Sequence, residues 1–155
     1  MLTKELMSLM EKRAFVSVAT CDFKGRPNAA PKFVLKVESD RVYLVDYTIG
    51  TSWQNLKINP RISMSFVDAR TLKGYQLNGS VKIMMRGKLY DKMRNEMTDK
   101  EVRLTTQRII DEVRGHPTHE TFEVLISEKF VIFEVKVDEV VEMDIHGGLK
   151  RSKKE

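Results

Sequence analysis

The sequence predicts a mainly β protein, with peripheral helices around an antiparallel barrel that is closed or nearly closed. Two observations predict this class. Most apolar residues fall in short runs rich in β-branched and aromatic side chains, joined by short loops that are typical of antiparallel neighbours. Only three segments show helical periodicity. Closure of such a run of strands removes exposed edges, so we expect a barrel.

The chain has 155 residues, a length that fits one domain. We expect this domain to span residues 1–148. Residues 149–155 carry four basic side chains, and we expect them to form a disordered basic tail.

The first predicted element is a helix that begins after Thr3. Leu2, Leu6 and Met10 recur at helical spacing, and Thr3 is a suitable N-cap because its hydroxyl can accept a backbone N–H. We expect this helix to end near Arg13.

Three strands are predicted next, at residues 15–20, 29–37 and 41–46. Asp22 and Gly25 mark the turn between the first two, since Asp binds its own backbone and Gly tolerates positive φ. The second and third strands are separated by a short polar loop.

A short helix is predicted at residues 51–58. It should stop before Pro60, because proline disfavours a helical conformation in the preceding residue. Strands are then predicted at 61–67 and 75–88, with a bulge or bend at Gly79.

The last third of the chain predicts one long helix and a final strand or hairpin. Residues 98–101 match a capping box, so the helix should begin there and run to about Arg114. Residues 122–126 are β-rich without a clear assignment, and residues 130–143 are the final strand or hairpin.

The composition excludes several classes of protein. The chain is 41% hydrophobic and 32% charged, which argues against disorder. It has no apolar run near the ~18 residues of a membrane helix, so we expect no membrane association. Its one cysteine, Cys21, cannot form an internal disulfide, and a reducing cytoplasm is the expected location.

The net charge gives little support for nucleic-acid binding. The total is +5, and residues 150–155, with four bases and one acid, contribute +3 of it, which leaves +2 on the rest of the chain. Phosphate backbones need clustered neutralising charge, so we expect no nucleic-acid partner.

Common catalytic patterns are scarce. His116 and His119 are separated by a proline and have no third ligand nearby, so we expect a solvated loop and no metal site. Cys21 has no neighbouring cation to favour its thiolate, and we interpret it as a core or rim residue. We assign no catalytic residue.

The segment 47–55 is the best candidate binding site. Thr48, Thr51 and Ser52 supply hydroxyls where a strand meets a helix, and the start of a helix offers unpaired N–H groups that suit a phosphate. The alternative is that Thr51 or Ser52 caps the helix and Trp53 fills the core.

Two further positions could face a ligand. Lys32 lies among apolar residues beside Pro31, which has no N–H for the strand ladder, and Lys32 could therefore reach an anion. Gln76 lies on a predicted strand, where its amide could bind the edge of a heterocycle. For both residues the alternative is an ordinary surface position.

These features occur in an order that resembles a known family. The strand 15–20, the Gly-x-Pro turn at 25–27, the segment 50–63 with its Asn-Leu-x-x-Asn-Pro-Arg exit, and Gly79 are similar to the pyridoxamine 5′-phosphate oxidase-like family of split barrels, which bind flavin mononucleotide (FMN). The resemblance covers about residues 5–90. It implies a six-stranded antiparallel split barrel that forms a homodimer, with FMN at the interface.

The resemblance also implies where the cofactor lies. The flavin-lining strand falls on residues 32–35, the pair after the third strand on Tyr47 and Thr48, and the flavin-contacting glutamine on Gln76. With the start of the helix, the expected cofactor-binding set is Lys32, Phe33, Val34, Leu35, Tyr47, Thr48, Thr51, Ser52, Trp53, Asn55 and Gln76.

Two departures from the family pattern affect the expected function. The family's basic phosphate-binding pair falls on Thr51 and Ser52, and no Trp-Arg-x-x-Pro ending is present, so we do not expect oxidation of pyridoxamine phosphate. The prediction is an FMN-dependent oxidoreductase acting on a small-molecule redox substrate.

Two alternatives remain open from the sequence. One is a non-catalytic module on the same barrel that holds haem or a deazaflavin. The other is a small Greek-key barrel that binds oligonucleotides, although Phe33, Tyr43 and Tyr47 have mostly apolar or acidic neighbours.

Overall fold

The computed structural model describes residues 2–115 and 129–153. The chain divides into two compact units, one formed by the segments 1–85 and 130–155 and the other by residues 86–129. The first unit contains α1 (Lys4–Glu11), β1 (Phe15–Cys21), β2 (Pro27–Glu38), β3 (Arg41–Asp46), α2 (Thr51–Ile58), β4 (Arg61–Asp68), β5 (Lys73–Met84), β6 (Val131–Met143) and β7 (Leu149–Lys153). The second contains α3 (Lys88–Gly115). The β-rich run at 122–126 lies outside the described residues.

The first unit is a closed six-stranded antiparallel barrel. Its strands follow the order β3-β2-β1-β4-β5-β6, and pairing of β3 with β6 closes the ring. Its fold is the split barrel that the sequence predicts. Closure leaves no free edge among these six strands, which is the physical advantage that favours a barrel.

The core lies inside the barrel and follows the two-residue alternation of the strands. In β1, Val16 and Val18 are buried while their neighbours are exposed, and Phe133 of β6 is completely buried. The helix α1 packs Leu6 and Met10 against this core. Thr3 caps α1 as predicted, because its hydroxyl accepts the N–H of Leu6 at 3.1 Å.

The predicted capping box at residues 98–101 is wrong. The helix α3 begins ten residues earlier, at Lys88, and the preceding strand β5 ends at Met84 and not at residue 88. Thr98 lies inside the helix, where its hydroxyl donates to the carbonyl of Arg94 at 3.3 Å. A Ser or Thr hydroxyl can bond back to the preceding turn as well as cap a helix, so the four-residue pattern alone does not mark a beginning.

The basic segment expected as a disordered tail contains strand β7, which pairs antiparallel with the end of β6. The turn before it is organised by Asp144, whose Oδ1 accepts the N–H groups of His146 at 2.8 Å and Gly148 at 2.9 Å. Gly147 has a φ of +83°, a conformation that glycine adopts without strain.

The basic side chains of β7 face an acidic partner on β6. Glu139 lies 3.3 Å from Arg151 and 3.6 Å from Lys153. Charge on this segment therefore does not imply a solvated tail, because a carboxylate on the neighbouring strand compensates it.

No helix within residues 2–115 and 129–153 is both long and apolar enough to cross a membrane.

Candidate functional site

Lys32 and Asp46 form a buried ion pair in the barrel wall. The register that pairs Phe33 with Val45 and Val34 with Leu44 continues to Lys32 opposite Asp46. The Lys32 Nζ lies 2.9 Å from Asp46 Oδ1, and the two side chains are only 4% and 1% exposed. Lys32 is thus neither a solvated surface residue nor a free cation for a ligand, because Asp46 already neutralises it.

Asp46 also fixes the segment that follows β3. Its Oδ1 accepts the N–H of Thr48 at 3.1 Å and the hydroxyl of Thr48 at 2.7 Å. Its Oδ2 is buried and has no hydrogen-bond partner within residues 2–115 and 129–153. Sequence reasoning missed Asp46. The available signals were an acidic residue that ends an apolar strand and, on the preceding strand, a lysine with apolar neighbours.

The beginning of α2 has backbone donors that no described side chain caps. Its N-cap is Gly50, which has no side chain to accept a hydrogen bond. The first N–H groups of a helix have no partner within the helix, and here those of residues 51–53 are at that position. Thr51 is exposed, and its hydroxyl has no partner among the described residues. Neither Thr51 nor Ser52 is the cap, so the alternative reading of these hydroxyls does not hold.

Ile49, just before this helix, has a φ of +45°. A β-branched residue in the left-handed region is an outlier that costs about 1–3 kcal/mol. The surrounding contacts must hold it, and the Asp46–Thr48 bonds on one side and α2 on the other are the neighbours that do so.

Ser52 and Asn55 belong to a buried polar network that ties α2 to the barrel. Asn28 of β2 donates to the Ser52 hydroxyl at 3.0 Å and to Thr20 of β1 at 3.4 Å. Asn55 donates to the same Thr20 hydroxyl at 3.1 Å. Both predicted residues therefore position the helix. Asn28 and Thr20 are further members that the sequence did not indicate.

Trp53 packs against the core, as the alternative for this residue predicted. Its ring is covered by Lys57, whose Nζ lies 4.0 Å from the ring centroid. The indole Nε1–H is buried and has no hydrogen-bond partner in the part of the chain that the structure describes.

The remaining residues of the predicted flavin-lining strand are buried. Phe33, Val34 and Leu35 are each at most 5% exposed. Tyr47 is half-buried, with its ring centroid 6.3 Å from that of Phe130.

Gln76 lies on a different face from Lys32. Tyr75 and Leu77 point into the core, so Gln76 between them faces outward. Its Nε2 donates to the hydroxyl of Ser63 at 3.1 Å and to Asn78 Oδ1 at 3.2 Å. The structure thus groups Lys32 with Thr48, and Ser52 with Asn55, but places Gln76 apart from both.

A pocket of about 380 Å³ lies between the α2 network and Gln76. It shares Thr20 with the network and Ser63 and Asn78 with the hydrogen bonds of Gln76. Its acidic member is Glu139, and the hydrogen bond from Asn78 holds the pKa of Glu139 below its ordinary value.

The described residues contain no cluster of three or more His, Cys, Asp or Glu side chains that could hold a metal ion. His116 and His119 lie outside the described residues. Cys21 is half-buried at the end of β1, and its Sγ accepts the amide of Asn59 at 3.1 Å.

The sequence matches the pyridoxamine 5′-phosphate oxidase family over residues 2–143. This confirms the resemblance found in the sequence. No curated protein matches the chain.

Three solved structures show the same fold. HupZ of Group A Streptococcus is 21% identical, with a TM-score of 0.68 over 97% of this chain and 99% of its own. A pyridoxamine 5′-phosphate oxidase-related, FMN-binding protein of Nostoc punctiforme is 12% identical, with a TM-score of 0.60 over 96% and 87%. HutZ, the heme storage protein of Vibrio cholerae, is 17% identical, with a TM-score of 0.61 over 96% and 93%. At these identities the likeness supports the split-barrel fold and no more.

The buried pair leads to a stability prediction. Lys32→Met leaves the Asp46 carboxylate buried without its cation, and we expect a loss of about 3–5 kcal/mol in the free energy of unfolding, measured with urea. Asp46→Leu should lower the free energy of unfolding by a similar amount, because it leaves the Lys32 ammonium buried without its carboxylate.

The double variant Lys32→Met/Asp46→Leu should lose much less than the sum of the two, since it buries no charge. As a control, the more exposed pair of Lys36 and Glu38 should contribute less than about 1 kcal/mol. Additive effects at positions 32 and 46 would show that the two side chains do not interact.

Proposed function

The chain belongs to the pyridoxamine 5′-phosphate oxidase family, and we propose that it binds FMN and acts as an oxidoreductase on a small-molecule redox substrate. The observation that carries the proposal is the beginning of α2, where, among the described residues, no side chain caps the first N–H groups and the Thr51 hydroxyl is exposed without a partner. Donors at a helix N-terminus suit a phosphate.

The donor set fits a phosphate without a cation. The first turn of α2 has no Arg or Lys, and Lys32 is paired with Asp46. The phosphate would therefore be held by neutral donors and by the positive end of the helix. We expect this binding to depend only weakly on ionic strength, because salt chiefly screens interactions between full charges.

FMN, when bound, supplies hydride or electron transfer, and the protein orients and tunes the ring. In the proposed site, Thr51 and the backbone of residues 51–53 bind the phosphate and the backbone of residues 32–35 lines the ring. Gln76 faces outward and lies apart from these groups, so within one chain it does not complete the site. Ser52 and Asn55 hold α2 in place through Asn28 and Thr20. No general acid or base is assigned, since hydride transfer at a flavin does not need one.

The second candidate is a non-catalytic module that holds haem or a deazaflavin on the same barrel. The likeness to HutZ, a heme storage protein, favours haem as the competing ligand.

We also propose that the protein is a homodimer with the cofactor at the interface. The outer face of β1 and β4 exposes Phe15 and Val67, which are 51% and 55% exposed and adjacent in the continued register of Ser17 with Ser65. The neighbouring pairs on this face, Ser17 with Ser65 and Ala19 with Ser63, carry no charge, so a second copy can pack on it without burying an unpaired ion. The cytoplasmic location remains a prediction.

The proposed function predicts which molecule the purified protein carries. Purified protein should be yellow, and denaturation should release a compound with the absorbance and mass of FMN. Stripped protein should bind one FMN per chain by fluorescence quenching. A Soret band in the purified protein would favour haem storage, and the absence of heat on titration with FMN would exclude the proposed function.

Thr51→Ala should weaken FMN binding about 5-fold, because a hydrogen bond to the phosphate is worth roughly 1 kcal/mol, and it should leave riboflavin binding unchanged. Gln54→Ala, on the exposed side of the same helix, is the matched control. Equal weakening of both flavins by Thr51→Ala would place the phosphate elsewhere.

The dimer proposal predicts that Phe15→Glu yields a monomer at concentrations where the unaltered protein is dimeric, because a charge would then be buried at the interface. Sedimentation velocity measures this. Phe23→Glu, at an exposed turn residue, is the control. A monomeric unaltered protein would contradict the proposal.

A further inference from the structure

We propose that Asp46 is a positioning residue that makes the hydroxyl of Thr48 an acceptor only. The ligand group at Thr48 must then be an N–H or O–H donor, from the flavin ring or the ribityl chain, and not the phosphate. This inference rests on the proposed FMN site. It adds the direction of the hydrogen bond at Thr48, here called its polarity: the ligand donates and Thr48 accepts.

The polarity follows from the bonds of Asp46. An ionised carboxylate only accepts hydrogen bonds, so at 2.7 Å the hydrogen between Thr48 Oγ1 and Asp46 Oδ1 must come from the threonine. The ammonium of Lys32 also donates to Asp46 Oδ1, at 2.9 Å, so this oxygen is an acceptor toward each of these neighbours.

Asp46 accepts hydrogen bonds from both donors of Thr48, its N–H and its hydroxyl. The Thr48 N–H also points to Asp46 Oδ1, at 3.1 Å, which closes a turn of the Asx type. Thr48 is exposed, so the lone pairs of its hydroxyl remain available to a ligand. A phosphate dianion has no hydrogen to offer and cannot bond to them.

The two ends of the junction therefore have opposite chemistry. Thr48 presents acceptors, while residues 51–53 present donors on the other side of Ile49 and Gly50. A ligand that carries donors on one part and a phosphate on another matches this order along the chain. FMN is such a ligand, with a ring N–H and ribityl hydroxyls on the part that lacks the phosphate.

The test compares FMN with riboflavin, which lacks the phosphate. Thr48→Val keeps the shape but removes the acceptor, and it should weaken both flavins by the same factor, about 5–10-fold. Thr48→Ser keeps the hydroxyl and should bind both nearly as the unaltered protein does. Weakening of FMN alone by Thr48→Val would place the phosphate at Thr48 and overturn the inference.

Asp46 itself is tested in a background that removes the buried charge. Lys32→Met/Asp46→Asn leaves no uncompensated ammonium, and the asparagine amide can donate to the Thr48 hydroxyl. In this background the Thr48 hydroxyl is no longer fixed as an acceptor. Adding Thr48→Val should therefore weaken the binding of FMN and riboflavin by less than about 2-fold, or by different factors for the two flavins. An undiminished, equal effect would show that Asp46 does not set the polarity.

Failure of the proposed function has a different signature. If the unaltered protein binds neither FMN nor riboflavin, the FMN site is excluded and the inference falls with it. If it binds both and Thr48→Val acts on FMN alone, only the polarity is wrong.

Discussion

The site depends on one interaction, the ion pair that Lys32 and Asp46 form inside the barrel wall. Burying two charges costs several kcal/mol per ion, and the pair persists only where the geometry compensates this loss. Adjacent antiparallel strands provide that geometry, because their register sets the two side chains opposite each other. The same carboxylate then holds Thr48, so the pair fixes the path of the chain from β3 into α2.

This arrangement changes how the junction can bind an anion. In the family pattern, a basic pair at the helix start binds the phosphate, and here Thr51 and Ser52 occupy those positions. The remaining basic candidate, Lys32, is committed to Asp46. An anion at this junction thus meets backbone N–H groups and a hydroxyl. These groups bind it through oriented hydrogen bonds and not through a net positive charge.

The sequence predicted most of the barrel because alternation and short loops are local signals. Strands β1 and β3 were found within a residue of their bounds, and Thr3 was identified as a cap. Strand β7 was missed because its basic residues alone resemble a solvated tail, and the carboxylate that compensates Arg151 and Lys153, Glu139, lies on the other strand of the hairpin. The Lys32–Asp46 pair was missed for a related reason: it needs the register between two strands, which the composition of either strand does not contain.

The relation between fold and function also follows from these particular contacts. Proteins with this barrel include an FMN-binding protein and a heme storage protein, so the strands alone do not select the ligand. Selection must come from a few groups held rigidly by the barrel. Here Asp46 fixes the Thr48 hydroxyl, and the network from Asn28 through Thr20 to Asn55 fixes the start of α2. Because both sets are anchored to β1, β2 and β3, the barrel wall sets the separation between the Thr48 acceptor and the donors of α2, and under the proposed function that separation selects the ligand.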